Sequence, residues 1–354
     1  MTATALHDTL ASASARLSEY SGAATAADFG NVSAEFQALV ADAGVYDLGW
    51  RAKISVSGAD RTRWLNGMIT NNVRDLAAGH GLYAFLLNPQ GRILADLYAY
   101  NLGSSLLVDT DQSQVGKVLE IFDHYIIMDD VEVAIDEKLT SIGIAGPKAR
   151  EALRTAGVEF PEVEPLQYQD STWRNIELTI VRGDTSTVES YAMWLAPANV
   201  KSVWEALIAA GAKPVGTGAL ELLRIASGIP RYGQDIREKD LPQETGQQRA
   251  LHFTKGCYIG QEIVERIRSR ANVHRSFTGF EIRGPLPSPG SKIQADGKDV
   301  GEITSSAPLP VAGGESAVAL GYLRREAALP GKQLQAGTAT ATVANLPFAK
   351  VFKH

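Results

Sequence analysis

Lys255-Gly256-Cys257-Tyr258-Ile259-Gly260-Gln261-Glu262 holds the only cysteine of a 354-residue chain, set between two glycines and directly ahead of a charged segment. Glycine tolerates positive φ and close backbone approach, so Gly256 and Gly260 mark a shaped loop. From Gln261 to Ala271 the spacing predicts a helix. Ile263, Val264 and Ile267 fall on one side, and Glu262, Glu265, Arg266, Arg268, Ser269 and Arg270 occupy the rest. Cys257 then lies just upstream of a helix N-terminus, where unpaired N–H groups and the helix dipole favour an anion, a thiolate included. A lone cysteine is also a common small buried residue. The flanking glycines and charges make this one a candidate functional thiol.

Working outward, Lys255, Arg266, Arg268, Arg270 and Arg275 stand against Glu262 and Glu265, a local charge of +3 on a chain whose net charge is −6. That suggests a local anionic ligand or a solvated helix face. The overall sign disfavours general nucleic-acid binding, which needs many Lys/Arg contacts to phosphate. One cysteine excludes an intramolecular disulfide and a complete Cys-ligated cluster within one chain. No apolar run approaches the roughly 20 residues of a membrane span. His7, Asp8, Arg16 and Glu19 leave no signal-type apolar core near the N-terminus. The expected location is the cytoplasm.

Residues 1–30, rich in Ala, Ser and Thr, read as a loose N-terminal segment, a loose helix with a mobile link around Ser21-Gly22. Ser33 reads as the cap of a helix carrying Phe36, Leu39, Val40 and Ala43 on its core face. Strands are expected at Gly81–Leu87 and Arg92–Tyr100, joined by the turn Asn88-Pro89-Gln90-Gly91. In the second strand Ile93, Ala95, Leu97 and Ala99 share one face, and Leu94, Asp96, Tyr98 and Tyr100 the other. Asp is disfavoured in mid-strand, so Asp96 sits either on a solvated face or facing a ligand cavity. Pro147 is expected in the first turn of a helix over Lys148–Thr155. From Ser276 onward, short strands punctuated by Gly and Pro predict a small β-barrel.

Residues 255–262 resemble the signature of the YgfZ family, folate-binding relatives of the glycine-cleavage T-protein, an aminomethyltransferase. The T-protein has a similar loop, Lys-Gly-x-x-Ile-Gly-x-Glu, without a cysteine at this place. Leu65 to Asn72 is similar to the family phrase Leu-Asn-Gly-x-x-Thr-Asn-Asn. Asn88 to Leu97 resembles the hairpin Asn-x-x-Gly-Gly-x-x-x-Asp-Leu. Leu223 to Gly233 and Leu241 to Glu244 resemble the connection into the cysteine loop, and Gly301–Ser305 and Ala319–Tyr322 the C-terminal barrel. The likeness runs from about residue 33 to 354. It fails at Gly-Tyr-Thr-Gly-Glu-x-Gly-Phe-Glu, whose glutamate contacts the pterin in the T-protein; Glu189 is the acid that would stand in for it.

The resemblance implies an α+β fold of three lobes: two interleaved α/β subdomains around a central cavity, over residues 31–275, and a β-barrel over residues 276–354. It implies tetrahydrofolate as cofactor, with Asp96 facing its nitrogens. Tyr98, Arg231, Tyr232, Lys255, Gly256, Tyr258, Gly260, Gln261 and Glu262 would line the site, and Cys257 and Asp96 would carry the chemistry. No metal is expected to be held by this chain alone. The implied function is support of iron–sulfur enzymes, one of them tRNA-modifying, with iron–sulfur assembly proteins or client enzymes as partners. The alternative is a tetrahydrofolate-dependent aminomethyltransferase of the glycine cleavage system. A cysteine hydrolase using His252 or His274 as base has only nearness in sequence behind it.

Overall fold

Buried and half-buried residues alternate along the strand Ile93–Asn101, and this period of two puts Ile93, Ala95, Leu97 and Ala99 in a core while leaving Asp96 and Tyr98 half-buried. The computed structural model describes residues 2–270 and 273–352, and the backbone only of Arg270. Ala271, the expected last residue of the helix after the cysteine loop, lies outside the described residues, as do the chain ends Met1, Lys353 and His354.

The chain divides into two compact units. The first comprises residues up to Ala84 and Ala95–Leu220. Its five-stranded antiparallel sheet runs in the order Gly81–Leu87, Ile93–Asn101, Leu106–Asp111, Arg51–Ser57, Glu132–Ile135; the tip of its first hairpin, residues 85–94, groups with the second unit. A six-stranded sheet runs Tyr168–Trp173, Ile176–Arg182, Ser190–Leu195, Thr140–Ala145, Gly44–Asp47, Lys213–Pro214. It packs Ile142, Ile144, Ile180 and Met193 against Leu153, Val203, Trp204 and Leu207 of the helices Ala149–Thr155 and Val200–Ala209.

Three expectations are corrected here. Residues 2–28 are not loose. They form the helix His7–Ser12 and a three-stranded sheet of Thr2–Ala3, Ala23–Asp28 and Arg16–Tyr20. Leu6 and Leu10 are fully buried, and the Thr25 hydroxyl donates to Asp47 at 2.7 Å. Ser21 and Gly22, at φ of 49° and 93°, make the hairpin's tight turn instead of a mobile link. Alanine biases a local reading toward helix or coil, and only contacts distant in sequence reveal the strand. The cap of the helix Val32–Ala41 is Asn31, whose side chain accepts from Ala34 N–H at 3.0 Å, and not Ser33. Pro147 precedes the cap residue Lys148 of the helix Ala149–Thr155, and so stands outside it.

The second compact unit comprises Phe85–Leu94 and the chain from Glu221 onward, so it holds the expected barrel together with the segment that leads into it. Its boundary cuts the helix Thr217–Ser227, because the side chains of that helix's second half belong to the barrel side. Arg224 pairs with Asp235 at 2.7 Å and donates to Ser305 at 2.9 Å, and the fully buried Asp235 accepts from Ser305 at 2.7 Å. The barrel closes through six strands in the order Arg275–Arg283, Gly314–Arg324, Lys298–Val311, Lys292–Ala295, Gln333–Ala336, Ala339–Ala344. Closure removes sheet edges, and Phe280, Ile293, Ile303, Leu323 and Leu334 fill the interior. Among the described residues no helix is long and apolar enough to cross a membrane.

Candidate functional site

Asp96 is held by the protein at both carboxylate oxygens. Tyr83 O–H donates to one at 2.7 Å and Gln114 Nε2 to the other at 2.9 Å. Gln114 also accepts from the Asp96 backbone N–H at 3.0 Å, and Thr110 O–H donates to the Asp96 carbonyl at 2.8 Å. A carboxylate has about four lone-pair sites, so two bonds leave it able to accept from N–H donors of a ligand. The half-buried Tyr98 follows on the same face, its ring 5.0 Å from that of Tyr83 and its hydroxyl 3.3 Å from Asp184.

On the same face, across the neighbouring strands of the sheet, lies a buried charge network. Arg51 Nε donates to Asp109 at 2.7 Å and Arg51 Nη1 to Asp111 at 2.5 Å, while the guanidinium lies 5.5 Å from the Tyr98 ring. Lys53, with no exposed side-chain area, pairs with Asp109 at 3.1 Å and lies 5.7 Å from the Trp194 ring. Burial opposes ionisation of Asp109, yet the charges of Arg51 and Lys53 outweigh it and hold its carboxyl below the usual range. For Asp111 burial wins: with help from the Asp96 charge it raises the carboxyl despite Arg51. Burial likewise depresses Lys53, only partly offset by Asp109. Tyr100, Tyr168 and Trp194 form an aromatic cluster in the same unit, and the buried Trp194 indole N–H has no partner among the described residues. Tyr83, Gln114, Arg51 and Trp194 are not singled out by the sequence. For Arg51 the alternation of its strand is a usable signal; Tyr83 comes from the neighbouring strand, Gln114 from the short helical turn Gln112–Gln114 and Trp194 from the other sheet, none of which local sequence reveals.

The cysteine loop is built differently. Gly260, at φ 81°, would bring a Cβ to 2.6 Å from the Asn88 carbonyl oxygen and 3.2 Å from Gly91 Cα. The loop is therefore seated on the hairpin turn Asn88–Gly91, and only glycine fits. Gly260→Ala is expected to destabilise the protein by roughly 2 to 4 kcal/mol, left-handed strain and overpacking together. A urea midpoint equal to wild type would show that this seating is wrong. Gly256, by contrast, has open space and no positive φ, so the conformational reason expected for it does not hold. Gln261 closes the loop, donating its N–H to the Tyr258 carbonyl at 3.2 Å and accepting Tyr258 N–H on Oε1 at 3.3 Å. The Lys255 ammonium, on a buried side chain, lies 4.9 Å from the ring of Tyr258, whose hydroxyl burial pushes up to about 12. Gly256, Cys257 and Glu262 are exposed, so the thiol is not a buried apolar filler.

The helix that follows is Gln261–Arg270, with Val264 fully buried. Three of the five basic residues around it are paired or buried, while Arg266 is exposed and the Arg270 side chain lies outside the described residues. Arg275 pairs with Asp240 at 2.6 Å and Glu244 at 2.9 Å, Arg268 pairs with Glu265 at 3.5 Å, and Lys255 is buried. Arg231 engages Glu221 at 3.2 Å and Gln234 at 2.7 Å, and Tyr232 O–H donates to the Leu94 carbonyl. Glu189 accepts from Tyr191 O–H at 2.5 Å. Asp96 and Tyr98 thus form one group; Lys255, Tyr258, Gly260 and Gln261 form another in the second unit.

This fold has known counterparts. A family model of the GCVT N-terminal domain matches residues 6–255, and one of the glycine cleavage T-protein C-terminal barrel domain matches residues 275–350. The chain belongs to the glycine-cleavage T-protein family. Its similar relatives include a putative chloroplastic transferase of Arabidopsis thaliana, 29% identical over 83% of this chain and 68% of the relative. An aminomethyltransferase of Picosynechococcus sp. is 28% identical over 91% of this chain and 90% of its own. Among solved structures, the glycine cleavage system aminomethyltransferase T of Bartonella henselae superposes with a TM-score of 0.90 over 98% of both chains at 20% identity, a likeness of fold.

Proposed function

We propose that this protein is a cytoplasmic, tetrahydrofolate-binding member of the T-protein family, of YgfZ type, that supports the assembly, repair or maintenance of iron–sulfur enzymes through Cys257. The observation that carries this reading is the exposed thiol on a loop whose geometry Gly260 and Gln261 hold in place. One thiol offers a cluster or a client protein a single ligand, so the remaining ligands come from the partner. Exposure makes that exchange physically accessible.

The residues around Asp96 fit tetrahydrofolate. Its carboxylate is oriented by Tyr83 and Gln114 with accepting capacity to spare, and the Tyr98 ring beside it offers a flat apolar surface. Bound there, the folate would supply nitrogens that carry one-carbon units. Asp96 would accept their N–H groups and keep negative charge beside them. Tyr83 and Gln114 would hold it in one orientation.

A second reading, an aminomethyltransferase of the glycine cleavage system, has the names of relatives in its favour. Against it stand the cysteine in the loop and the missing Gly-Tyr-Thr-Gly-Glu run, where Glu189 is already engaged by Tyr191. The discriminating experiment puts Cys257→Ser into a strain lacking this gene. Loss of iron–sulfur enzyme activity under oxidative stress, with glycine-cleavage flux intact, supports the proposal. Full iron–sulfur activity with reduced flux on deletion of the gene makes the protein an aminomethyltransferase.

A further inference from the structure

Between Val118 and Glu137 the chain carries Glu120, Asp123, Asp129, Asp130, Glu132, Asp136 and Glu137 and no lysine or arginine, a charge of −7 where the whole protein has −6. An excess of negative charge as large as the whole protein's thus sits in the end of the helix Val115–Tyr125, the turn after it and the sheet-edge strand Glu132–Ile135. In the middle of that turn stand Ile127, 79% exposed, and Met128, 94% exposed, the two most exposed large apolar side chains among the described residues. Ile135, 44% exposed, adds a third on the edge strand. Single exposed apolar residues are ordinary, but two adjacent ones inside a strongly acidic segment are not.

The turn is also rigidly built. Trp64 Nε1 donates to the Tyr125 carbonyl at 3.1 Å, Asp130 N–H to Asp60 at 3.0 Å, and Asp60 N–H back to the Asp130 carbonyl at 3.1 Å. Gly58 approaches so closely that a Cβ there would meet the Asp130 carbonyl oxygen at 2.1 Å. The apolar pair is therefore presented from a fixed platform, and docking it loses little chain entropy. Arg63 reaches the turn as well, and its charge is already engaged by Asp129 and Asp60.

The sign of the charge selects the occupant. A negative field repels nucleic acid, anionic lipid surfaces and the same face of a second copy. It attracts a protein whose apolar pocket is rimmed by lysine and arginine, which is how charge complementarity guides an apolar anchor. We propose that Ile127 and Met128 are the anchor of a docking site for such a basic-rimmed partner protein.

The test replaces Met128 with the photo-crosslinker p-benzoylphenylalanine in the full-length protein in its native cells, with Lys298, exposed on the barrel, as the control position. The protein captured at position 128 alone is then purified and titrated against wild type, Ile127→Ser/Met128→Ser and Glu132→Lys/Glu137→Lys. The expected result is binding weakened at least about tenfold by the serine pair. Wild-type affinity should also fall as salt rises from about 50 to about 300 mM, and the lysine pair should bind more weakly with a flatter salt dependence. All four positions are exposed; should a pair fail to fold, Met128→Ser alone carries the comparison. Equal binding by wild type and the serine variant overturns the proposal, as does a crosslink to a second copy, to lipid, or to nothing specific to position 128.

Discussion

Asp96→Asn is expected to weaken binding of 5-formyltetrahydrofolate about 10- to 100-fold in isothermal titration, the range that loss of one charge-assisted hydrogen bond of roughly 1.5–3 kcal/mol gives. The substitution preserves shape. An asparagine can turn its oxygen to Gln114 Nε2 and its NH2 to the Tyr83 hydroxyl, which then accepts instead of donating. What disappears is negative charge and accepting capacity toward the ligand. Thermal unfolding of the variant should therefore match wild type, which separates a lost ligand contact from a damaged sheet. Equal folate affinity in the two proteins would remove Asp96 from the site and, with it, the main structural support for folate binding.

Asp109→Ala should produce the largest loss of stability, about 3–5 kcal/mol, because it removes a buried carboxylate that both Arg51 and Lys53 engage. Arg51 would keep Asp111, but Lys53 has no exposed side-chain area from which water could replace the lost carboxylate. The pH profile gives the sign. Asp109 has a folded pKa below its unfolded value of about 3.9, so its contribution is complete above that value and is lost as pH falls through the folded pKa. The variant should lack that acid-side slope. Lys53 is a base whose folded pKa is depressed, so stability rises with pH only between that folded pKa and the unfolded value of about 10.4. Without Asp109 that alkaline rise should grow, and adding Lys53→Met should restore part of the loss. Urea denaturation across pH checks all three; a variant with wild-type stability and slope would mean the network is hydrated and energetically minor.

The period of two between Ile93 and Asn101 is enough to place Asp96 on a strand face with Tyr98, and the barrel strands are likewise legible as short apolar runs between Gly and Pro. Gly260 is legible as a special position, but its reason, the carbonyl of Asn88, lies in a distant part of the chain. The basic stretch misleads at Arg275 because charge counted along a sequence ignores what folds against it: Asp240 and Glu244 reach that side chain from another segment. The N-terminal segment misleads for a related reason. Alanine says little locally, whereas Thr25 finds Asp47 and Leu6 finds a core only once the chain is folded.

Beyond the N-terminal segment, then, the sequence by itself determined the main elements and their buried faces, since periodicity and turn chemistry act over a few residues, and it singled out Cys257 and Asp96. Only the tertiary structure decided which groups hold Asp96, that Cys257 is exposed, where the arginines spend their charge, and that Ile127 and Met128 stand out from an acidic turn. Hydrogen bonds, ion pairs and burial join residues far apart in the chain, and their partners exist only when the backbone has brought them together.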